Sequence, residues 1–270
     1  MFKAVVSDLD GTLLNAEHKV SDFTRETVEL LLKKGIKFYI ATGRNYLGAK
    51  EAMDELGVKV PLITSHGSVV FDENGNKIFA NNLKREYLDK VLNIDYKSFG
   101  KDIIITGYSG PNWFVTEDLR EYFYNKKPDR TRYPKQITPE EFKKNDFTKI
   151  FFLGENHDEL LELENEIKRI VGEENISLLF ANEGSLEVFP ANCDKAKAAE
   201  VVLKRDGLTL KDAVSFGDGL NDYELITETG LGFAMGNSIY LLLEKLTDTE
   251  VIESNAEDGM AKKLRELFDL

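Results

Sequence analysis

The chain of 270 residues is short of the residue types that staple a fold together or hold a soft metal. Its one cysteine, Cys193, excludes an internal disulfide framework and any cysteine-rich zinc site. The three histidines, His18, His66 and His157, lie far apart, and no pair has a metal-ligand spacing. Basic residues are in deficit, with Lys+Arg 35 against Asp+Glu 48 and a net charge of -13. A nucleic-acid binder gains most of its affinity from a basic surplus, so no nucleic-acid partner is expected. A small phosphorylated ligand stays open, because a site can be locally positive on an acidic protein. No apolar run approaches the roughly 18 residues of a membrane span. The N-terminus runs straight into a short strand and an aspartate, unlike a signal sequence. The expectation is a soluble, reduced, cytoplasmic protein with no membrane partner, a monomer or weak homo-oligomer.

What is present is an alternation of strands and helices. Phe2 to Ser7 is a short apolar run of the buried-strand type, ending in the polar turn Asp8-Leu9-Asp10-Gly11-Thr12. Ser21 caps a predicted helix that Gly35 stops. Lys37 to Ala41 predicts a second buried strand, Tyr46 to Leu56 a helix ended by Gly57, and Asn74-Gly75 a hairpin turn. The middle, residues 83–189, is aromatic-rich and contains an irregular stretch at 125–137. Thr138-Pro139-Glu140-Glu141 is a capping box inside it. After Pro190 the alternation resumes, with a helix over Asp194 to Lys204, a strand over Ala213 to Phe216 and a final amphipathic helix over Gly259 to Phe268. Alternation of this kind predicts an α/β fold, a doubly wound Rossmann-like parallel sheet with helices on both faces. The predicted core is 1–82 with 190–270, and 83–189 is an inserted α+β cap domain.

Open parallel sheets bind ligands beyond the carboxyl ends of their strands. Asp8 and Asp10, Thr42, and Asp218, Asn221 and Asp222 all follow predicted strands directly, while Lys195 opens a helix. Gathered at one sheet edge, these carboxylates would repel one another, so something positive must hold them. Hard oxygen donors without a cysteine or a histidine pair point to Mg²⁺. Asp8 and Asp10, two apart across a turn, can divide nucleophile and proton-transfer duties. Thr42 alone reads as an ordinary strand-end threonine, and Lys195 alone as a solvated lysine in a first helical turn; in this company each reads as a phosphoryl-oxygen partner. In Gly217-Asp218-Gly219-Leu220-Asn221-Asp222 the glycines allow a tight turn in which the polar side chains converge on one cation. His66 reads as a structural or solvent-facing histidine, and Cys193 as a buried small apolar group.

Together these motifs resemble the haloacid dehalogenase superfamily, and within it the Cof-like phosphatases with a large inserted cap (subclass IIB). The resemblance rests on Asp8 to Thr12, Ala41-Thr42-Gly43-Arg44, Lys195, Gly217 to Asp222, Ala234-Met235-Gly236-Asn237 and Ser254 to Gly259, in that order and spacing. It implies that Asp8 is the nucleophile and Asp10 the general acid and then base. It implies that Thr42 and the Gly43 backbone bind phosphate, with Lys195 bridging nucleophile and phosphate. Asp8, the Asp10 carbonyl and Asp218 would hold Mg²⁺, and Asn221 and Asp222 would orient metal and waters. The chain departs from the family at His66-Gly67, where Asn-Gly is usual, and at Ala196, where glycine usually follows the lysine; Lys197 offers a second lysine two residues on.

The function so implied is Mg²⁺-dependent hydrolysis of small phosphorylated metabolites, sugar phosphates foremost, through an aspartyl-phosphate on Asp8. Two alternatives share the scaffold: a phosphomutase, which would return the phosphoryl group to another hydroxyl, and a catalytically silent binding protein. A phospho-accepting signalling domain also groups aspartates and a lysine at a sheet edge, but needs neither a second acid at Asp10 nor a cap. Tyr108, Asn112 and Trp113 read first as cap core or surface residues, while their chemistry also suits contact with a leaving group.

Overall fold

The computed structural model describes residues 2–110, 112–119 and 133–270, and the part of the irregular stretch from 125 to 132 lies outside them. The chain falls into two compact units, Met1–Ala80 with Asp194–Leu270, and Asn81–Cys193. The sequence boundaries of 82/83 and 189/190 fall a few residues inside the second unit. At the far boundary the reason is pairing: Phe189 and Pro190 are in register with Ser177 and Ile176, so they complete a sheet of that unit.

The first unit is built on an eight-stranded sheet in the order β14-β13-β12-β1-β2-β3-β4-β5. These strands are β1 (Ala4–Ser7), β2 (Lys37–Ala41), β3 (Leu62–Thr64), β4 (Val69–Phe71), β5 (Lys77–Ala80), β12 (Ala213–Gly217), β13 (Leu231–Ala234) and β14 (Glu250–Val251). From β14 to β3 the pairing is parallel, while β4 runs antiparallel to both its neighbours, β3 and β5. Successive side chains of a strand point to opposite faces, and both faces here are apolar. Val5, Phe38, Ile40, Val214 and Phe216 pack with α1 (Asp22–Lys33), α2 (Tyr46–Leu56) and the last helix of the chain, Gly259–Phe268. Ala4, Val6, Tyr39, Ala41 and Ile63 pack with the helix Lys195–Arg205 and with Leu225. This is the doubly wound α/β arrangement.

Local signals set the element ends. The Ser21 hydroxyl accepts from the Thr24 N–H (3.0 Å), and the Asn45 side chain from the Gly48 N–H (2.9 Å). Gly57 closes α2 in the left-handed region at φ +78°, which glycine enters without steric cost. The helices Arg85–Leu92 and Tyr240–Lys245 and the strand β14 went unread in the sequence. All are short, and the last two carry exposed apolar residues (Tyr240, Leu241 and Val251), which blurs the amphipathic period.

The second unit holds a six-stranded sheet in the order β10-β11-β9-β6-β7-β8. Its strands are β6 (Ile104–Ser109), β7 (Asn112–Val115), β8 (Lys135–Gln136), β9 (Lys149–Leu153), β10 (Ile176–Asn182) and β11 (Ser185–Pro190). All are antiparallel to their neighbours except the β7–β8 pair. On β9, Ile150 and Phe152 join the main core with Leu160, Leu163 and Ile167 of the helix His157–Val171. Phe151 and Leu153 belong to a smaller cluster with Tyr108 and Trp113. The Trp113 indole N–H donates to the Thr106 hydroxyl at 2.6 Å. Cys193 is only half-buried, and its sulfur accepts from the Asn81 carboxamide (3.1 Å); a polar neighbour at the surface overrides its apolar character.

Phe152 is fully buried, so Phe152→Ala leaves a void that its neighbours fill only in part. We expect a loss of about 3–5 kcal/mol in chemical unfolding of the variant, a large share of a domain's usual stability.

Candidate active site

The sheet register brings the polar turns to one edge. Ser7 is level with Phe216 on one side and Ile40 on the other, so Asp8, Thr42 and Asp218 leave the sheet side by side. β1 lies between β2 and β12, where the strand order reverses, which is the switch point at which such sheets bind ligands. The Asp8 main chain is anchored by its N–H, which donates to the Phe216 carbonyl at 3.0 Å.

After Asp8 the chain makes a wide turn over Leu9–Leu13, closed by the Leu14 N–H on the Leu9 carbonyl (2.9 Å). Gly11 sits in it at φ +74°, and a Cβ there would come within 2.2 Å of the Asp218 carboxylate. Glycine is therefore required twice over, for backbone angle and for room. Two asparagines to which the sequence reading gave no role brace this turn. Asn237 donates to the Gly11 carbonyl (2.8 Å) and accepts from the Asn255 N–H (2.9 Å), while the Asn255 side chain donates to the Leu14 carbonyl (2.8 Å).

Lys195 lies at the centre. Its ammonium is wholly buried and donates to Asp8 Oδ1 (2.5 Å) and Asp222 Oδ1 (2.6 Å). The other Asp222 oxygen accepts the N–H groups of Asp218 (3.1 Å) and Gly219 (3.0 Å), so this carboxylate braces the loop that carries Asp218. Lys197 instead pairs with Asp194 and is more than half exposed. Asp194 caps the helix by accepting from the Lys197 N–H (2.7 Å), which aims its first side chain, Lys195, at the sheet edge.

Asp8, Asp218 and Asp222 offer carboxylate oxygens that all lie within 4.8 Å of one another. One ammonium cannot balance three carboxylates, and the acid strengths show it. Burial pushes Asp8 well above the ordinary carboxylate value; Lys195 pulls it back, while Asp222 and Asp218 add to the rise. Asp218 is pushed up to about 6 by burial and by Asp222. Burial would lower Lys195, but Asp222 and Asp8 outweigh it and hold the ammonium above the usual lysine value. Hard oxygen donors with an excess of negative charge fit a divalent cation such as Mg²⁺.

This constellation has known relatives. A family model described as haloacid dehalogenase-like hydrolase matches residues 5–264. The chain belongs to the haloacid dehalogenase-like hydrolases. A protein of Buchnera aphidicola (subsp. Baizongia pistaciae), provisionally named a phosphatase, is 35% identical over 272 residues, covering 99% of each chain. The HMP-PP phosphatase of Yersinia pestis (strain Pestoides F) is 29% identical over 271 residues, 98% of this chain and 94% of that one. Among solved structures, a haloacid dehalogenase-like hydrolase from Bacteroides thetaiotaomicron superposes with a TM-score of 0.84 at 25% identity, over 99% of this chain and 100% of its own. A subclass IIB sugar phosphatase shares the fold, with a TM-score of 0.81 at 22% identity, over 99% and 100%.

In this hydrolase the expected residues do not all stand alike. Asp8, Lys195, Asp218 and Asp222 form one contiguous cluster. Thr42 is buried, with its N–H on the Ile63 carbonyl (2.8 Å); its hydroxyl accepts from the Arg44 N–H (3.1 Å), which leaves the O–H proton free to donate. The Asp10 side chain stands outside the carboxylate cluster. Arg44 grips it in a two-pronged pair, Nε to Oδ2 at 2.8 Å and Nη2 to Oδ1 at 2.5 Å. The sequence reading quoted Arg44 without giving it work; a guanidinium fork three residues into a helix-entry turn has no spacing that reveals its partner. Of the two readings open for His66, structural or solvent-facing, its burial fits the first: it is 6% exposed and lies beside Gly43 and Asn221, because a left-handed turn folds it inward. Among the described residues no helix is long and apolar enough to cross a membrane.

The charge excess has a pH signature. In the cation-free protein Asp218 keeps its proton up to about pH 6, whereas the unfolded chain releases it near the ordinary aspartate value of 3.8. Between those values the folded state binds more protons, so this contribution to stability is present at low pH and is lost as pH rises through about 6. In a chelator the melting temperature should fall as pH rises through that window, and Mg²⁺ should restore it. Asp218→Asn should flatten the fall and lose most of the Mg²⁺ effect.

Proposed function

We propose that the protein is a Mg²⁺-dependent phosphatase of small phosphorylated metabolites, sugar phosphates foremost, working through an aspartyl-phosphate on Asp8. The observation that carries this reading is the buried Lys195 ammonium shared by Asp8 and Asp222, with Asp218 alongside. A carboxylate nucleophile attacking a phosphoryl group must be brought against like charge, and this site is built to offset that repulsion. Asp8, the main-chain carbonyl of Asp10 and Asp218 would hold the metal, with Asn221 and Asp222 orienting its surroundings. The bound metal would supply charge neutralisation at the phosphoryl oxygens.

The chain's own groups then divide the work. Asp8 Oδ1 is tied to Lys195, which leaves the second oxygen to form the bond to phosphorus. The bond to the leaving oxygen breaks, and that oxygen takes a proton from Asp10. In the second half Asp10 takes a proton from water, whose oxygen attacks phosphorus and releases Asp8 and inorganic phosphate. The Thr42 hydroxyl and the Gly43 N–H would donate to phosphoryl oxygens. The Arg44 fork holds Asp10 by one N–H on each oxygen and leaves a second lone pair on each for the proton. The phosphatase names of the relatives support the same reaction class.

With p-nitrophenyl phosphate and Mg²⁺, Asp8→Asn should abolish hydrolysis in a protein that still folds, and Asp10→Asn should lower kcat by about 10²–10⁴-fold. Full activity of Asp8→Asn would remove the nucleophile assignment. A panel of phosphorylated metabolites ranked by kcat/KM, with released phosphate assayed against isomerised substrate, separates hydrolysis from phosphoryl shift.

A further inference from the structure

Ser65, His66 and Gly67 follow one another in left-handed backbone, at φ +50°, +56° and +94°. Two side-chain-bearing residues in a row there are unusual, and such strain persists only where surrounding contacts fix it. The contacts are with the site. The Ser65 N–H donates to the Arg44 carbonyl (2.8 Å) and the His66 N–H to the Thr42 carbonyl (3.2 Å). Gly67 lies against the Asp194 carbonyl, where a Cβ would come to 2.3 Å. The turn is thus clamped between the Thr42–Arg44 segment and the start of the Lys195 helix.

The strained backbone places a buried imidazole between two loops. On one side it covers Gly43, where a Cβ would approach the ring at 2.5 Å, so a larger residue at that position would displace the imidazole. On the other side the Asn221 carboxamide nitrogen donates to His66 Nδ1 at 3.2 Å. Simple packing would account for an apolar side chain here, but not for a polar ring aimed at a carboxamide from disfavoured backbone. We propose that His66 is a positioning residue, which holds the Gly43 main chain and the Asn221 side chain in one arrangement. The proposal deepens, and rests on, the phosphatase reading above. His66 acts through Asn221 and Gly43 and makes no bond in the reaction.

The test is a double-mutant cycle read with p-nitrophenyl phosphate and Mg²⁺, together with NMR of the Asn221 side-chain amide. Glycine suits the left-handed backbone, so His66→Gly removes the ring without adding strain. It should lower kcat/KM by about tenfold or more, as loss of an orienting partner usually does. His66→Asn should recover most of the activity, since asparagine tolerates this backbone and its carbonyl oxygen can accept from Asn221. His66→Gly/Asn221→Ala should be no worse than the poorer single variant by more than about twofold, because the two side chains act as one unit. Wild-type kcat/KM in His66→Gly, or losses that multiply in the double variant, would overturn the proposal. The NMR arm stands apart from activity: the Asn221 amide resonances should move in His66→Gly, and unmoved resonances would equally overturn it. If wild type and Asp8→Asn turn over alike, the phosphatase reading fails by itself, and the resonances still decide whether His66 holds Asn221.

Discussion

The structure depends on burying one ammonium among carboxylates. Lys195 is wholly enclosed and divides its hydrogen bonds between Asp8 and Asp222, with Asp218 close by. Removing a charge from water is costly unless a partner offsets the loss, and here Asp222 and Asp8 keep the Lys195 ammonium charged. The arrangement still carries more negative than positive charge, which is why burial and mutual repulsion raise Asp8 and Asp218 together. An excess of this kind would be a liability in a purely structural cluster. In the phosphatase site proposed above, it would favour a bound cation.

Much of the first unit exists to hold that cluster in register. Parallel pairing of β1 with β2 and β12 sets the three loops level, and apolar side chains on both faces fix the sheet against its helices. The loops are then braced by polar groups outside the charge cluster: Asn237 and Asn255 on the Asp8 turn, Asp194 on the Lys195 helix, and the 65–67 turn on Thr42 and Arg44. The net charge of -13 takes on a local meaning at this edge, where Asp8, Asp218 and Asp222 are gathered about one ammonium.

The alternating pattern of the fold was legible because buried parallel strands are short apolar runs closed by turn residues, as at Phe38 to Ala41 and Val214 to Phe216. The carboxylates and Lys195 were legible for a related reason: each stands directly at the end of such an element, and strand order does the rest. What was not legible depends on contacts between distant segments. Arg44 finds Asp10 only once two loops are adjacent, and Asn237 finds Gly11 across 226 positions. The contacts of His66 were not legible because they depend on backbone conformation, and left-handed φ at a histidine leaves no mark on sequence periodicity. The short helices were missed because too few turns repeat for a period to show.

The central claim is that Asp8 itself takes the phosphoryl group. An enzyme turning over a phosphomonoester with Mg²⁺ can be acid-quenched and treated with borohydride, which reduces an acyl phosphate to an alcohol. Peptide mass spectrometry then reads the residue at position 8. The account predicts homoserine in place of Asp8 in the treated enzyme. Unaltered aspartate at that position, with conversion found at another carboxylate, would contradict it.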